Sequence, residues 1–453
     1  MSFRTHHRKL LLALEADEGV AETLDPTNDY IECIEPTYSI TPRTFERNVT
    51  RKSITPAPIV TPGIGRAAGQ PSATVEFSFQ VELAGTGSAT SLPRWSRILE
   101  CCGFEKHAVG LVTLDTTPLA GAPNDPQVIK NGENLSVGTG DTAYNASNRI
   151  GRSVGDHFYG DRAIYYNAAG ASGSGTSGDK LYGQIDDVNG SILSLAATVG
   201  YGFVPVSTDA LGGANSTSAT VALYMSNTGD YLEATGCRGN VEFVFASGDR
   251  VLMNITMMGV LNKYVSGSSD ITIVGEGLSI PPGFVNVDLA LGESTFGITD
   301  AADSTATVFN TMNINMGNEM TVRESVSAST GYAETVITGR SSSMTFNPDA
   351  VANLASNAQL DHWQRFLAGE TFRGNFQVGS TAGNKFRFKF PAAQFTGIAD
   401  GNRDEVTILD STCTLTGGDY GSSVQEAVND TGSTSTAISP RIGKDNEFVF
   451  YSL

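Results

Sequence analysis

Histidines and cysteines are few in this 453-residue chain, five of each, and none stands at a working spacing. The five histidines, His6, His7, His107, His157 and His362, lack the i, i+4 spacing of a helical zinc site. His362, beside Trp363, reads as a helix-surface residue. Five cysteines make neither a disulfide framework nor a CxxC pair, because Cys101 and Cys102 are adjacent while Cys33, Cys237 and Cys413 are scattered. Asp186-Asp187 and the pair Asp300 and Asp303 could hold a cation, but solvated turns explain them more simply. Gly63-Ile64-Gly65-Arg66 lies in a proline-rich stretch rather than between a strand and a helix, so it cannot cradle a phosphate. Tyr159, Asp161, Tyr165 and Tyr166 only hint at a carbohydrate-binding face. The expectation is a chain that is not an enzyme, with no metal and no cofactor.

The formal charge is −19, from 29 basic and 48 acidic side chains. Such a chain has no electrostatic grip on phosphates, although it could form a wall that repels nucleic acid. Solubility alone would also account for the charge. Charged residues make up 17%, below the roughly 25% usual for soluble domains, and 50 glycines help to fill the difference. Leu10 to Leu14 is too short to cross a membrane and no export signal is visible, so folding in a reducing cytoplasm is expected.

Sheets must therefore carry the structure. Val75, Phe77, Phe79, Val81 and Leu83 alternate with Glu76, Ser78, Gln80 and Glu82, the pattern of a strand with one dry and one wet face. The first 30 residues read as one strand or as a tail pairing with a neighbour, and a further strand, broken by Pro36 and Pro42, is expected from Tyr30 to Arg43. Thr44 to Gln70, with Arg47, Arg51, Lys52 and Arg66, lacks periodicity and is long enough to be an interaction arm.

Two short helices are expected around the only tryptophans, in Trp95-Ser96-Arg97-Ile98-Leu99 and Trp363-Gln364-Arg365-Phe366-Leu367. Trp95, Ile98 and Leu99, and likewise Trp363, Phe366 and Leu367, fall on one helical face and are expected to dock on a sheet. A hairpin opening at Arg238-Gly239-Asn240 is matched by one opening at Arg373-Gly374-Asn375, and Tyr38-Ser39-Ile40 by Asn313-Ile314-Asn315-Met316. The order strand, arm, strand, helix, hairpin thus occurs twice, which predicts an internal duplication. The division expected is 1–105 with 223–279, then 280–453, with a small β-rich insertion at 106–222. Strand candidates in that insertion include Ala163 to Tyr166 and Ser191 to Val199, while Ala219 to Met225 could return to the parent sheet.

With these elements placed, the sequence resembles the major tail proteins, or tail tube proteins, of phages with long non-contractile tails. The likeness rests on Val75 to Gly87, Pro93 to Leu99 running on to Cys102-Gly103-Phe104, Gly236-Cys237-Arg238-Gly239-Asn240-Val241 and Ser380-Thr381-Ala382-Gly383-Asn384. It implies a mainly β fold of two tail-tube-type β-sandwich domains, each with a short flanking helix. It implies a virion protein whose sheets join edge to edge into rings, three duplicated chains to a ring, stacked into a tube through which DNA passes. Tail terminator, tape measure and distal tail proteins would be its partners, with no membrane contact. Under that resemblance Arg47, Arg51, Lys52 and Arg66 form an inter-ring arm, and Glu76, Ser78, Gln80 and Glu82 line the bore. The insertion would project outward. A secreted adhesin or surface-layer protein, or a carbohydrate-binding module, are the alternatives.

Overall fold

The computed structural model describes residues 7–43, 73–88, 91–109, 200–205, 217–225, 229–267, 269–287, 289–293, 305–350, 362–416 and 447–452. Short strands at 113–114, 129–130, 134–137, 157–160, 164–165, 181–189 and 192–196 are also described. The fold is mainly β, built of antiparallel pairs.

The first stretch gives β1 (Lys9–Leu14), β2 (Tyr30–Ile31), β3 (Ile34–Pro42), β4 (Ala73–Glu82), α1 (Ser96–Cys101) and β5 (Phe104–Val109). Then follow β6 (Thr113–Leu114), β7 (Ile129–Lys130), β8 (Asn134–Val137), β9 (His157–Gly160), β10 (Ile164–Tyr165), β11 (Leu181–Asn189) and β12 (Ile192–Ala196). These seven form two small sheets, β10-β8-β7-β6 and β12-β11-β9. The chain re-enters the large sheet with β13 (Gly200–Pro205), β14 (Ala219–Tyr224), β15 (Tyr231–Ala246) and β16 (Leu252–Val265). It continues through β17 (Leu289–Glu293), β18 (Thr305–Thr307), β19 (Phe309–Asn315), β20 (Asn318–Glu324), β21 (Tyr332–Arg340) and β22 (Ser343–Pro348). The remaining elements are α2 (His362–Ala368), β23 (Thr371–Thr381), β24 (Asn384–Arg403), β25 (Val406–Thr416) and β26 (Val449–Ser452).

One order of pairing occurs twice. In the first half the strands run β2-β1-β14-β15-β16-β4-β3. In the second they run β18-β17-β23-β24-β25-β22-β19. Both series follow the same chain order, with a helix in the same place. Bulges agree too: β15 slips between Thr235 and Arg238, and β24 between Phe395 and Gly397. The pairings correct the hairpin match drawn from sequence. β23 takes the place of β14, so β15-β16 corresponds to β24-β25, one strand later than the Arg-Gly-Asn motifs suggest. Three polar residues carry too little information to fix which strand they open.

The two series are joined. β16 occupies one edge of β15 throughout, while the other edge binds β14 over 231–237 and β19 over 242–246. A continuous row, β3-β4-β16-β15-β19-β22-β25-β24, therefore runs through both halves. Its dry face is formed by Val75, Phe77, Phe79, Met253, Ile255, Phe243, Phe245, Met312, Ile314 and Met344, all almost fully buried. Both halves feed one core: Phe243 meets Phe388 edge-on at 5.4 Å and Phe450 at 5.6 Å, and Phe245 lies 5.2 Å from Phe284 and from Phe376. The expected strand from Tyr30 to Arg43 divides at Glu32-Cys33 rather than at its prolines, and the N-terminal strand pairs within the chain.

The first helix docks as expected, with Trp95, Ile98 and Leu99 buried. The second does not. Trp363 is 45% exposed and Leu367 80%, while His362 and Arg365 are buried and Phe366 is half-buried. The sheet below α2 offers aromatic rings: the His362 ring lies 5.5 Å from Phe395, and the Arg365 guanidinium stands over Phe372 at 5.8 Å. These contacts turn the helix so that its stripe starts one residue before Trp363, and His362 is not a surface residue.

Close backbone approach holds the halves together at one more place. Gly87 N donates to Gly383 O at 3.1 Å, and Gly85 N donates to Asn384 Oδ1 at 2.9 Å. A Cβ on Gly85 would lie 1.9 Å from Gly383 O, backbone against backbone. Gly85→Ala is therefore expected to cost about 1–3 kcal/mol, read as a lowered urea midpoint.

Candidate functional site: a polar sheet face

Directly opposite residues of an antiparallel pair share a face, so the registers extend the wet face of β4 across the whole row. Glu76, Ser78, Gln80 and Glu82 stand opposite Met258, Thr256, Asn254 and Leu252 of β16. Those continue to Asn240, Glu242 and Val244 of β15, then to Asn315 and Asn313 of β19. Ser343 and Thr345 of β22 follow, then Thr414 and Thr412 of β25. On the other side, Ser39 and Thr37 of β3 stand opposite Glu76 and Ser78. All four of the β4 residues expected to line a bore lie on this face, exposed or half-buried.

The side chains are tied to one another. Gln80 Nε2 donates to Asn254 Oδ1 at 3.0 Å, and Asn254 Nδ2 donates to Glu242 Oε2 at 3.1 Å, which links three strands. Across the joint between the halves, Asn240 Nδ2 donates to Asn315 Oδ1 at 3.0 Å. Such bonds hold the amides flat against the sheet and use up part of their capacity for other partners. Glu76, Glu82, Glu242 and Asp410 carry negative charge here. The nearby cations are neutralised: Arg250 pairs with Glu82 at 2.9 Å, and Arg403 pairs with Asp349. No lysine lies on the face among the described residues. The surface is wide, polar and net acidic.

The second half has its own arm. Hairpin β20-β21 stands between β19 and β22, the position that 43–72 takes between β3 and β4. It lies over β15 and β16, where Thr335 Oγ1 donates to Met258 O at 2.9 Å and Asn318 Nδ2 donates to Gly239 O at 3.0 Å. Buried Arg238 donates to Thr335 O and pairs with Glu18, while Arg323 pairs with Glu334. Arg47, Arg51, Lys52 and Arg66 lie outside the described residues.

The remaining candidates are not brought together. Tyr159 in β9 and Tyr165 in β10 belong to different sheets, and Asp161 and Tyr166 lie outside the described residues. Asp186 and Asp187 sit in β11 rather than in a turn, and Asp300 and Asp303 lie outside the described residues. Burial raises the Cys101 and Cys237 thiols well above their ordinary pKa, which keeps them protonated and unreactive. Among the described residues no cluster of His, Cys, Asp and Glu could hold a metal ion, and no helix is long and apolar enough to cross a membrane. Sequence reasoning found the β4 residues of the face but missed Asn240, Glu242, Asn254, Asn313, Asn315 and Thr345. No protein-family model matches this chain, and no curated protein matches it.

Proposed function

We propose that this chain is a structural subunit of a tube that conducts DNA, the major tail protein of a long-tailed phage, as the sequence resemblance implies. The polar face carries this reading, because it runs across strands of both halves with no unpaired cation among the described residues. A passing polyanion would meet carboxylates, amides and hydroxyls and would slide without sticking. Each seven-strand series is one tube domain, and three chains close a ring of six. The strands of 113–196 decorate the outside, and the arm of 44–70 bridges rings as β20-β21 bridges the halves of one chain. The partners are then further copies of itself and the proteins that cap and fill a tail.

Reconstruction of assembled particles without imposed symmetry tests the reading. It should return rings of three chains, true threefold and near sixfold, with Glu76 and Glu242 facing the bore and three projections outside. Six chains to a ring would make twelve tube domains and a much wider barrel, and would overturn the pseudosymmetry. Discrete monomers at all concentrations would overturn the tube itself.

A further inference from the structure

Among the described residues, the row of eight strands ends without a partner on either side. At one end β3 pairs with β4 along one edge, and its other edge is unpaired among the described residues. At the other end lies β24. β23 and β25 overlap on it at 393–394, so they occupy opposite edges, and β26 shares the edge of β25. The edge that binds β23 up to Gln394 is therefore unpaired from Phe395 to Arg403 among the described residues.

Inside the chain the same two places are filled. β15, the counterpart of β24, gives its edge after the bulge to β19, the counterpart of β3. Carrying the registers across places Tyr38 where Met312 stands and Ile40 where Ile314 stands. Met312 and Ile314 are only 1% and 0% exposed, because β15 and the core behind it cover them. Tyr38 and Ile40 point to the same dry face, opposite Phe77 and Val75, yet are 36% and 39% exposed. An apolar side chain on the core side of a sheet is left open only where a covering layer is missing.

We infer that the open edge of β24 receives β3 of a second copy of this chain, antiparallel, in the register that β19 takes on β15. In that register Ser39 stands opposite Arg403 and Thr41 opposite Gly401 of the neighbour, and the polar face continues unbroken. The helix α2 flanks the site: its His362 lies on Phe395, and Gln394 Nε2 donates to Gly369 O at 2.8 Å. Its outward Trp363 and Leu367 form the second apolar part of the surface. They are needed, because β24 offers Asn402 where β15 has Phe243, and it ends at Arg403, so that Asp404 of the following turn stands where β15 has Phe245. The joint between chains thus buries less apolar surface along the strand than the joint within one chain. Each copy has one donor edge and one acceptor edge, so the contact is head-to-tail and propagates until it closes. The inference deepens the tube reading, and the joint can fail while the tube survives.

Disulfide trapping on the full chain tests it. Ser39→Cys and Arg403→Cys are made as separate proteins, mixed, oxidised mildly and run without reductant. The described native thiols are buried or half-buried, which leaves the new pair as the reactive one. A covalent dimer in the mixture, absent from either variant alone, supports the joint. The double variant should give closed covalent rings. Dimers of one variant alone would mean a face-to-face contact and overturn the inference. Assembly without any cross-link would overturn the joint and leave the tube reading standing, whereas neither assembly nor cross-link would overturn both. Ile40→Asp and Trp363→Ala should leave the thermal unfolding of the single chain unchanged, yet raise the concentration needed for assembly about tenfold or more. If Ile40→Asp instead unfolds the chain, that side chain belongs to the core of one copy and the inference fails.

Discussion

Replacing Trp95 by alanine should cost about 3–5 kcal/mol, a large part of the roughly 5–15 kcal/mol that holds a typical domain folded. The indole is 2% exposed and lies 6.0–6.5 Å from Phe203, Phe386 and Phe450. Its Nε1 donates to Ala84 O at 2.8 Å, so truncation also strands a buried carbonyl. Phe203 belongs to β13, and Phe386 and Phe450 belong to the second half, so the loss is felt in three parts of the chain at once. Trp363→Ala in the matched helix should change the stability of a single chain by less than about 1 kcal/mol. Urea midpoints of the two variants compare them directly. Equal losses would mean that α2 docks through its tryptophan after all.

The second large effect is expected on the polar face. Glu76→Lys with Glu242→Lys changes the charge of the face without touching the dry side of either strand, so folding and assembly should persist. Assembled particles of the variant should retain short DNA duplexes at about 50 mM salt and release them at about 200 mM, with each new phosphate contact steepening the salt dependence by about one unit. Particles of the unchanged protein should retain none. In a phage, delivery of the genome should slow or stop. Lysines that leave DNA retention unchanged would place this face away from the path of DNA.

How much of this was legible in the sequence depended on what each strand touches. β4 has one wet and one dry side, and its alternation gave it away. β1 is covered on both sides, with Leu10, Leu11 and Leu12 all fully buried, so its run had no period to read. The second helix departs from its apolar spacing because the aromatic sheet beneath it accepts a histidine ring and a guanidinium in place of the indole. Asn240 and Glu242, Asn254 and Thr256, and Asn313 and Asn315 alternate with apolar residues just as the β4 residues do. What the sequence lacks is the pairing that puts these stretches side by side, because register between distant strands is set by the core they share.

The register of β1 on β14 has a consequence for the birth of the chain. Lys9-Leu10-Leu11-Leu12-Ala13-Leu14 pairs with Ala219 to Tyr224, and its other edge meets the short stretch from Asp29 to Ile31. During synthesis at roughly 5–20 residues per second, the hexamer waits on the order of 10–40 s for that partner to be made. Throughout that interval it is an apolar, β-forming segment with an open edge, the kind that aggregates or swaps between neighbouring nascent chains. Chaperone demand should accordingly peak early in translation and fall once residue 224 has emerged.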